Sequence, residues 1–66
     1  MIRAEFEVVV LVVDIPDEGL TKGQIGTIVD IYTSPSLAYE VEFCDKQGRT
    51  VALLALEPEQ LDDYIP

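Results

Sequence analysis

The sequence has no histidine, no tryptophan and a single cysteine, and each scarcity excludes a class of chemistry. One thiol forms no internal disulfide, and without histidine the lone Cys44 cannot complete an ordinary zinc site. The same gap removes the commonest general base. No phosphate-cradling glycine loop or nucleophile signature replaces it, so the residues predict a non-enzymatic chain with no cofactor. Basic residues are also sparse, with four Lys and Arg against thirteen Asp and Glu and a net charge of -9 at pH 7. A field of that sign repels polyanions. Arg3, Lys22, Lys46 and Arg49 are scattered rather than clustered, which argues against nucleic acid and against an anionic membrane. A basic protein is the natural electrostatic complement. Long hydrophobic runs are missing too: the longest, Val8 to Val13, has six residues, against about 20 needed to span a bilayer. Glu5 and Glu7 precede it, and no leader-peptide pattern is present, so the expected location is the cytoplasm, where a free thiol stays reduced.

What the chain does contain is β-forming sequence. Its 66 residues suit one small domain, residues 1-66, whose core is too small for more than marginal stability without good packing or oligomerisation. From Phe6 to Val13 the residues are mostly β-branched, which favours a pleated strand over a helix. Both parities are apolar: Val8, Val10 and Val12 form one row, and Val9, Leu11 and Val13 the other. Cover is therefore expected on both faces, by the interior on one side and by a loop or a second subunit on the other. Asp14 to Lys22, with Pro16, Gly19 and four charges, reads as a surface loop anchored in the core by Leu20.

The best strand pair is Gly23 to Ile31 with Tyr39 to Phe43, joined by the Ser- and Pro-bearing connection Tyr32 to Leu37. With Ile31 opposite Ala38, Ile28 faces Val41 and Gly26 lies under the ring of Phe43, where a residue without a side chain is needed. That register points Asp30 inward beside Tyr39. A bulge near Asp30 is therefore expected, turning the carboxylate out and returning Ile31 to the core. Glu40 and Glu42 fall on the solvent face. Asp45-Lys46-Gln47-Gly48 reads as a turn, and Thr50 to Leu56 as a fourth strand whose two rows are again both apolar. Glu57 to Leu61 suits one helical turn with Pro58 at its start, and Tyr64 with Ile65 a last short strand beside the first. The predicted fold is all-β, a small five-stranded antiparallel SH3-like barrel with a short helical turn before the last strand.

Gly26-Thr27-Ile28-Val29-Asp30 and Tyr39-Glu40-Val41-Glu42-Phe43 resemble the two hallmark motifs of a family of short bacterial proteins known only as a domain of unknown function. Val12 to Leu20 before the first motif, and Gly48-Arg49-Thr50 with an apolar strand after the second, are similar to that family as well. The likeness runs from about Glu7 to Leu61. It implies a small bacterial β domain with no established activity. The chain also resembles the wider set of SH3-like barrels, which includes RNA-binding modules, but departs from those in charge.

The functional expectation is a protein-binding module, with an acidic inhibitor or immunity-type partner of a basic protein as its sharpest form. Glu40, Glu42, Asp30, Asp14, Asp17 and Glu18 would steer the partner, and Tyr32 would supply contact. A nucleic-acid-binding barrel and a structural homo-oligomer are the alternatives, and the double apolar rows also predict self-association. Carboxylates alternating along a strand more often form a solvated face than a Ca²⁺ or Mg²⁺ site, so no metal is expected. Cys44 is expected to be buried and inert.

Overall fold

The computed structural model describes residues 2–66. Its five strands, β1 (Val8–Leu11), β2 (Ile25–Tyr32), β3 (Ala38–Cys44), β4 (Thr50–Leu56) and β5 (Leu61–Asp63), form one antiparallel sheet ordered β4-β3-β2-β1-β5. Among the described residues helical structure is limited to two single 3-10 turns, Pro16–Glu18 between β1 and β2 and Pro58–Gln60 before β5. Pro58 opens the second turn as expected. Gln60 Oε1 accepts from the backbone N–H of Glu57 at 2.8 Å, and the Gln60 N–H donates back to the Glu57 carbonyl at 3.0 Å, which closes the turn.

The connection between β4 and β5 forces the sheet to curl. Leu56 pairs with Tyr39, and Leu61 with Leu11 at the far end of the opposite edge. In a flat sheet the two would stand more than about 25 Å apart, given strand spacings of about 4.8 Å and a rise of about 3.3 Å per residue. Four intervening residues reach at most about 18 Å. The edges must therefore fold toward each other and enclose one face.

That enclosed face is the core. Val9, Gly26, Phe43 and Ala52 line up across four strands, with Ile28 and Val41 in the next row and Tyr39 opposite Leu56 beyond it. Leu20 is buried among them, as expected of the loop's anchor, and its residue pairs with Ile15 across the loop. The bulge predicted near Asp30 is present, as a register shift between Ile28 and Asp30. Before it the expected pairs hold, Gly26 with Phe43 and Ile28 with Val41. Beyond it the extra residue moves the pairing by one, so Ile31 faces Tyr39 and Tyr32, not Ile31, faces Ala38.

Several expectations need correction. The first strand is Val8–Leu11, shorter than Phe6 to Val13, and its outward row is only partly covered: Val8 is exposed and Val10 and Val12 are half-buried, while Val9 and Leu11 are buried. The same holds on β4, where Ala52 and Leu56 are buried but Val51 and Leu53 are 51% and 54% exposed. Both faces looked equally apolar in sequence; register chose one, and the loop packs elsewhere. The last strand is Leu61–Asp63, with Tyr64 and Ile65 exposed beyond it, because Leu61 fills the core place opposite Leu11. Cys44 is exposed, not buried, since alternation along β3 sends Phe43 inward and the next side chain out.

The segment before β1 closes one end of the core. The backbone N–H of Arg3 donates to the hydroxyl of buried Tyr39 at 2.9 Å, giving that polar group a partner. The Arg3 guanidinium bridges Glu7 and Asp63, tying this segment to β5. Partial burial disfavours its charged form, but hydrogen bonds to Asp63 and Glu7 outweigh that and raise its pKa. Between them the N–H of Glu7 donates to the Ala4 carbonyl, closing a turn whose third residue, Phe6, has φ 68°. That is a glycine or asparagine position, and an aromatic there costs roughly 1–2 kcal/mol. Phe6 is also 69% exposed, so its ring recovers little of this. Phe6→Gly is expected to raise stability by about 1 kcal/mol in urea unfolding. A loss of similar size would show that the ring packs in solution.

Candidate functional site

Cross-strand register places the predicted acids. Asp30 on β2 lies directly opposite Glu40 on β3, on the face away from the core. Glu42 is two residues further along the same face, opposite Thr27 on one side and Leu53 on the other. The Tyr32 hydroxyl donates to Glu40 Oε1 at a long 3.4 Å. Lost solvation at the sheet surface, then the negative charges of Glu40 and Asp30, push the Tyr32 phenol above its ordinary value. Asp30, Tyr32, Glu40 and Glu42 therefore form one continuous surface.

Some of these carboxylates also have local work. Asp30 Oδ1 accepts from the N–H of Ile31 at 2.8 Å. Glu42 Oε2 accepts from the Thr50 hydroxyl across the β3–β4 pair. Neither contact neutralises charge. Among the described residues the ion pairs join Arg3 to Glu7 and Asp63, and Arg49 to Asp45, so no cation reaches Asp30, Glu40 or Glu42. Like charges directly opposite on neighbouring strands are destabilising. Asp30 and Glu40 thus stand opposite each other on the outer face with no ion pair to either.

The loop acids do not join this surface. Asp14 Oδ1 accepts from the backbone N–H of Lys22 at 2.8 Å and so holds the loop's two ends together. Asp17 and Glu18 lie in the 3-10 turn of the same loop, which leaves the sheet at the Ile25 end of β2, whereas Asp30 is toward the other end. Among the described residues no three His, Cys, Asp or Glu side chains converge as metal ligands would, and no pocket opens.

At the β3–β4 turn, Asp45 accepts from the N–H groups of Gln47 and Arg49, and Gly48 adopts φ 82° as a returning chain requires. The Asp45 carboxyl is held below the ordinary range chiefly by the Arg49 N–H, against partial desolvation, with the Gln47 N–H and the Arg49 guanidinium adding to it. A folded pKa below the unfolded one gives stability that is present above the unfolded value and lost as pH falls through the folded one. Asp45→Asn is therefore expected to lower the thermal midpoint at neutral pH and to converge on the wild type in acid. An equal gap at both would contradict this origin.

Fold and surface together define a small all-β domain of five antiparallel strands whose outer face carries paired, unneutralised acids beside exposed aliphatic residues. The chain belongs to the family described as Domain of unknown function (DUF4926), whose model matches residues 5–63. No curated protein and no solved structure matches the chain. Among the described residues no helix is long and apolar enough to cross a membrane.

Proposed function

We propose that this chain is a non-enzymatic binding module of the SH3-like barrel type, of bacterial origin and cytoplasmic, that captures a basic protein on its acidic face as an inhibitor or immunity-type partner would. The observation that carries this reading is Asp30 directly opposite Glu40 with Glu42 beyond and, among the described residues, no ion pair to any of them. A partner's Lys and Arg would pair with these carboxylates, and the net charge of -9 would steer their approach. Tyr32 offers an aromatic edge at the rim. The motifs around Gly26 and Tyr39 support the bacterial origin through the family they resemble, and the order β4-β3-β2-β1-β5 with a 3-10 turn before β5 supports the barrel.

Self-association is a second reading, favoured by the exposure of Val51 and Leu53. Nucleic acid is disfavoured by charge: two of the four cations are already paired with carboxylates, and Lys22 and Lys46 lie on separate loops. Affinity capture from the source cell with the wild-type chain and with Glu40→Lys/Glu42→Lys as baits separates these readings. The wild type is expected to retain a basic protein that the double variant loses by at least about tenfold, the scale of electrostatic steering. Equal retention by both baits would remove the acidic face from the account.

A further inference from the structure

Strand β4 is an edge of the sheet, pairing with β3 on one side only. Natural edges are protected by charge, proline, bulges or short length. Over its seven residues, Thr-Val-Ala-Leu-Leu-Ala-Leu, β4 has no charge and no proline. Its one irregularity, a register shift where β3 passes from Phe43 to Cys44, affects only the Thr50 end. From Ala52 to Leu56 the pairing is regular, so alternate residues turn their N–H and C=O groups to the open side. Among the described residues none of these groups takes part in a hydrogen bond outside the sheet ladders.

The acids of the proposed binding face sit in register with this edge. Ala55 lies between the open side and Glu40, and Leu53 between the open side and Glu42. A strand added to β4 would run about 10 Å from β3, two strand spacings away. From that distance a long cationic side chain opposite Ala55 can pass over the small methyl group and reach Glu40, with Asp30 behind it. An aliphatic stem beside Leu53 would cover exposed apolar surface while its charged end approaches Glu42.

We infer that the open edge of β4 receives an extended segment of the basic partner as a sixth strand, with Lys or Arg at alternate positions aimed at Glu40 and Glu42. This rests on the acidic-face reading above and names its mode: backbone pairing supplies the dock, and alternate cations supply the choice. A second copy of this chain fits less well. It would align another uncharged β4, whose flanking cation Arg49 is already paired with Asp45, and set two acidic faces of like charge beside each other.

The test uses the whole chain and three synthetic peptides: one alternating Arg and Val, one of identical composition with the arginines in a block, and the alternating peptide N-methylated at every second amide. Titration followed by amide NMR is the readout. The alternating peptide is expected to bind about tenfold or more tightly than either control, with slowed hydrogen exchange confined to β4. Glu40→Gln/Glu42→Gln is expected to weaken it by about tenfold, a scale typical of close charge pairs. If all three peptides bind equally and the Glu variant weakens them all, strand addition is overturned and the acidic face stands. If the Glu variant changes nothing, the acidic face itself falls. Absence of binding by the alternating peptide overturns the inference. So does β4 protection that appears without peptide and grows with protein concentration, which would assign the edge to a second copy.

Discussion

Phe43→Ala is expected to leave little folded protein at room temperature. Phe43 is fully buried near the end of β3, between Gly26 on one neighbouring strand and Ala52 on the other. Removing so large a ring from a packed interior costs about 3–5 kcal/mol, through lost transfer energy and the cavity left behind. A domain of this length holds roughly 3–10 kcal/mol in all, so one truncation consumes much or all of it. Neither Gly26 nor Ala52 has a side chain able to move into the space. Phe43→Leu is expected to cost much less, because it keeps apolar volume, and to remain folded in the same urea experiment. A cooperative transition for Phe43→Ala at nearly the wild-type midpoint would mean that this ring is not the centre of the core.

Gly26→Ala is the second large effect, with the opposite geometry. A methyl group at Gly26 would stand 2.6 Å from Val41 Cγ1 and 2.9 Å from Phe43 Cε1, both on fully buried side chains. Carbon atoms cannot approach so closely, and neither neighbour is the free end of a flexible chain. Overpacking of this kind costs about 1–3 kcal/mol, occasionally more. Alanine regains about 0.4–1 kcal/mol by restricting the unfolded chain, so the clash wins. Gly26→Val adds more atoms in the same place and is expected to prevent folding. Should Gly26→Ala prove as stable as the wild type, the close approach of β3 over β2 would be absent in solution.

The same residues explain why the β2–β3 pairing was legible in the sequence. Tyr39, Val41 and Phe43 alternate with Glu40 and Glu42, so a single register sends one set inward, and Gly26 has a reason only beneath Phe43. Asp30 then conflicts with that register unless a bulge intervenes, and the conflict located it. Strands β1 and β4 offered no such contrast. Two apolar rows give no preference for a face, and the exposed Val8, Val51 and Leu53 were assigned a cover that the chain itself does not provide.

Contacts far apart in sequence left no local sign. The Arg3 backbone meets Tyr39 across 36 positions, and its side chain meets Asp63 across 60. Propensity alone favours Tyr64 and Ile65 as the last strand, because Asp62 and Asp63 have low strand propensity; pairing with β1 overrides it. Within the candidate site, Asp30, Tyr32, Glu40 and Glu42 followed from register and the bulge. Asp14, Asp17 and Glu18 stand out in the sequence by charge alone. Charge does not report that one carboxylate is committed to a loop N–H while the others leave at the opposite end of β2.

On the proposed reading, a chain with this surface would gain from association twice. A partner's cations would offset the negative charge of Asp30, Glu40 and Glu42, and a docked strand would pair with the open edge of β4 beside exposed Leu53. The first effect would govern the rate of encounter and its salt dependence, and the second the lifetime of the complex.

The most direct measurement is the association rate of the captured basic protein, by stopped flow, over a series of salt concentrations. The account predicts a rate that falls steeply with salt for the wild type, and for Glu40→Lys/Glu42→Lys a rate at least about tenfold slower at low salt with a flattened dependence. The same salt slope in both proteins would contradict it.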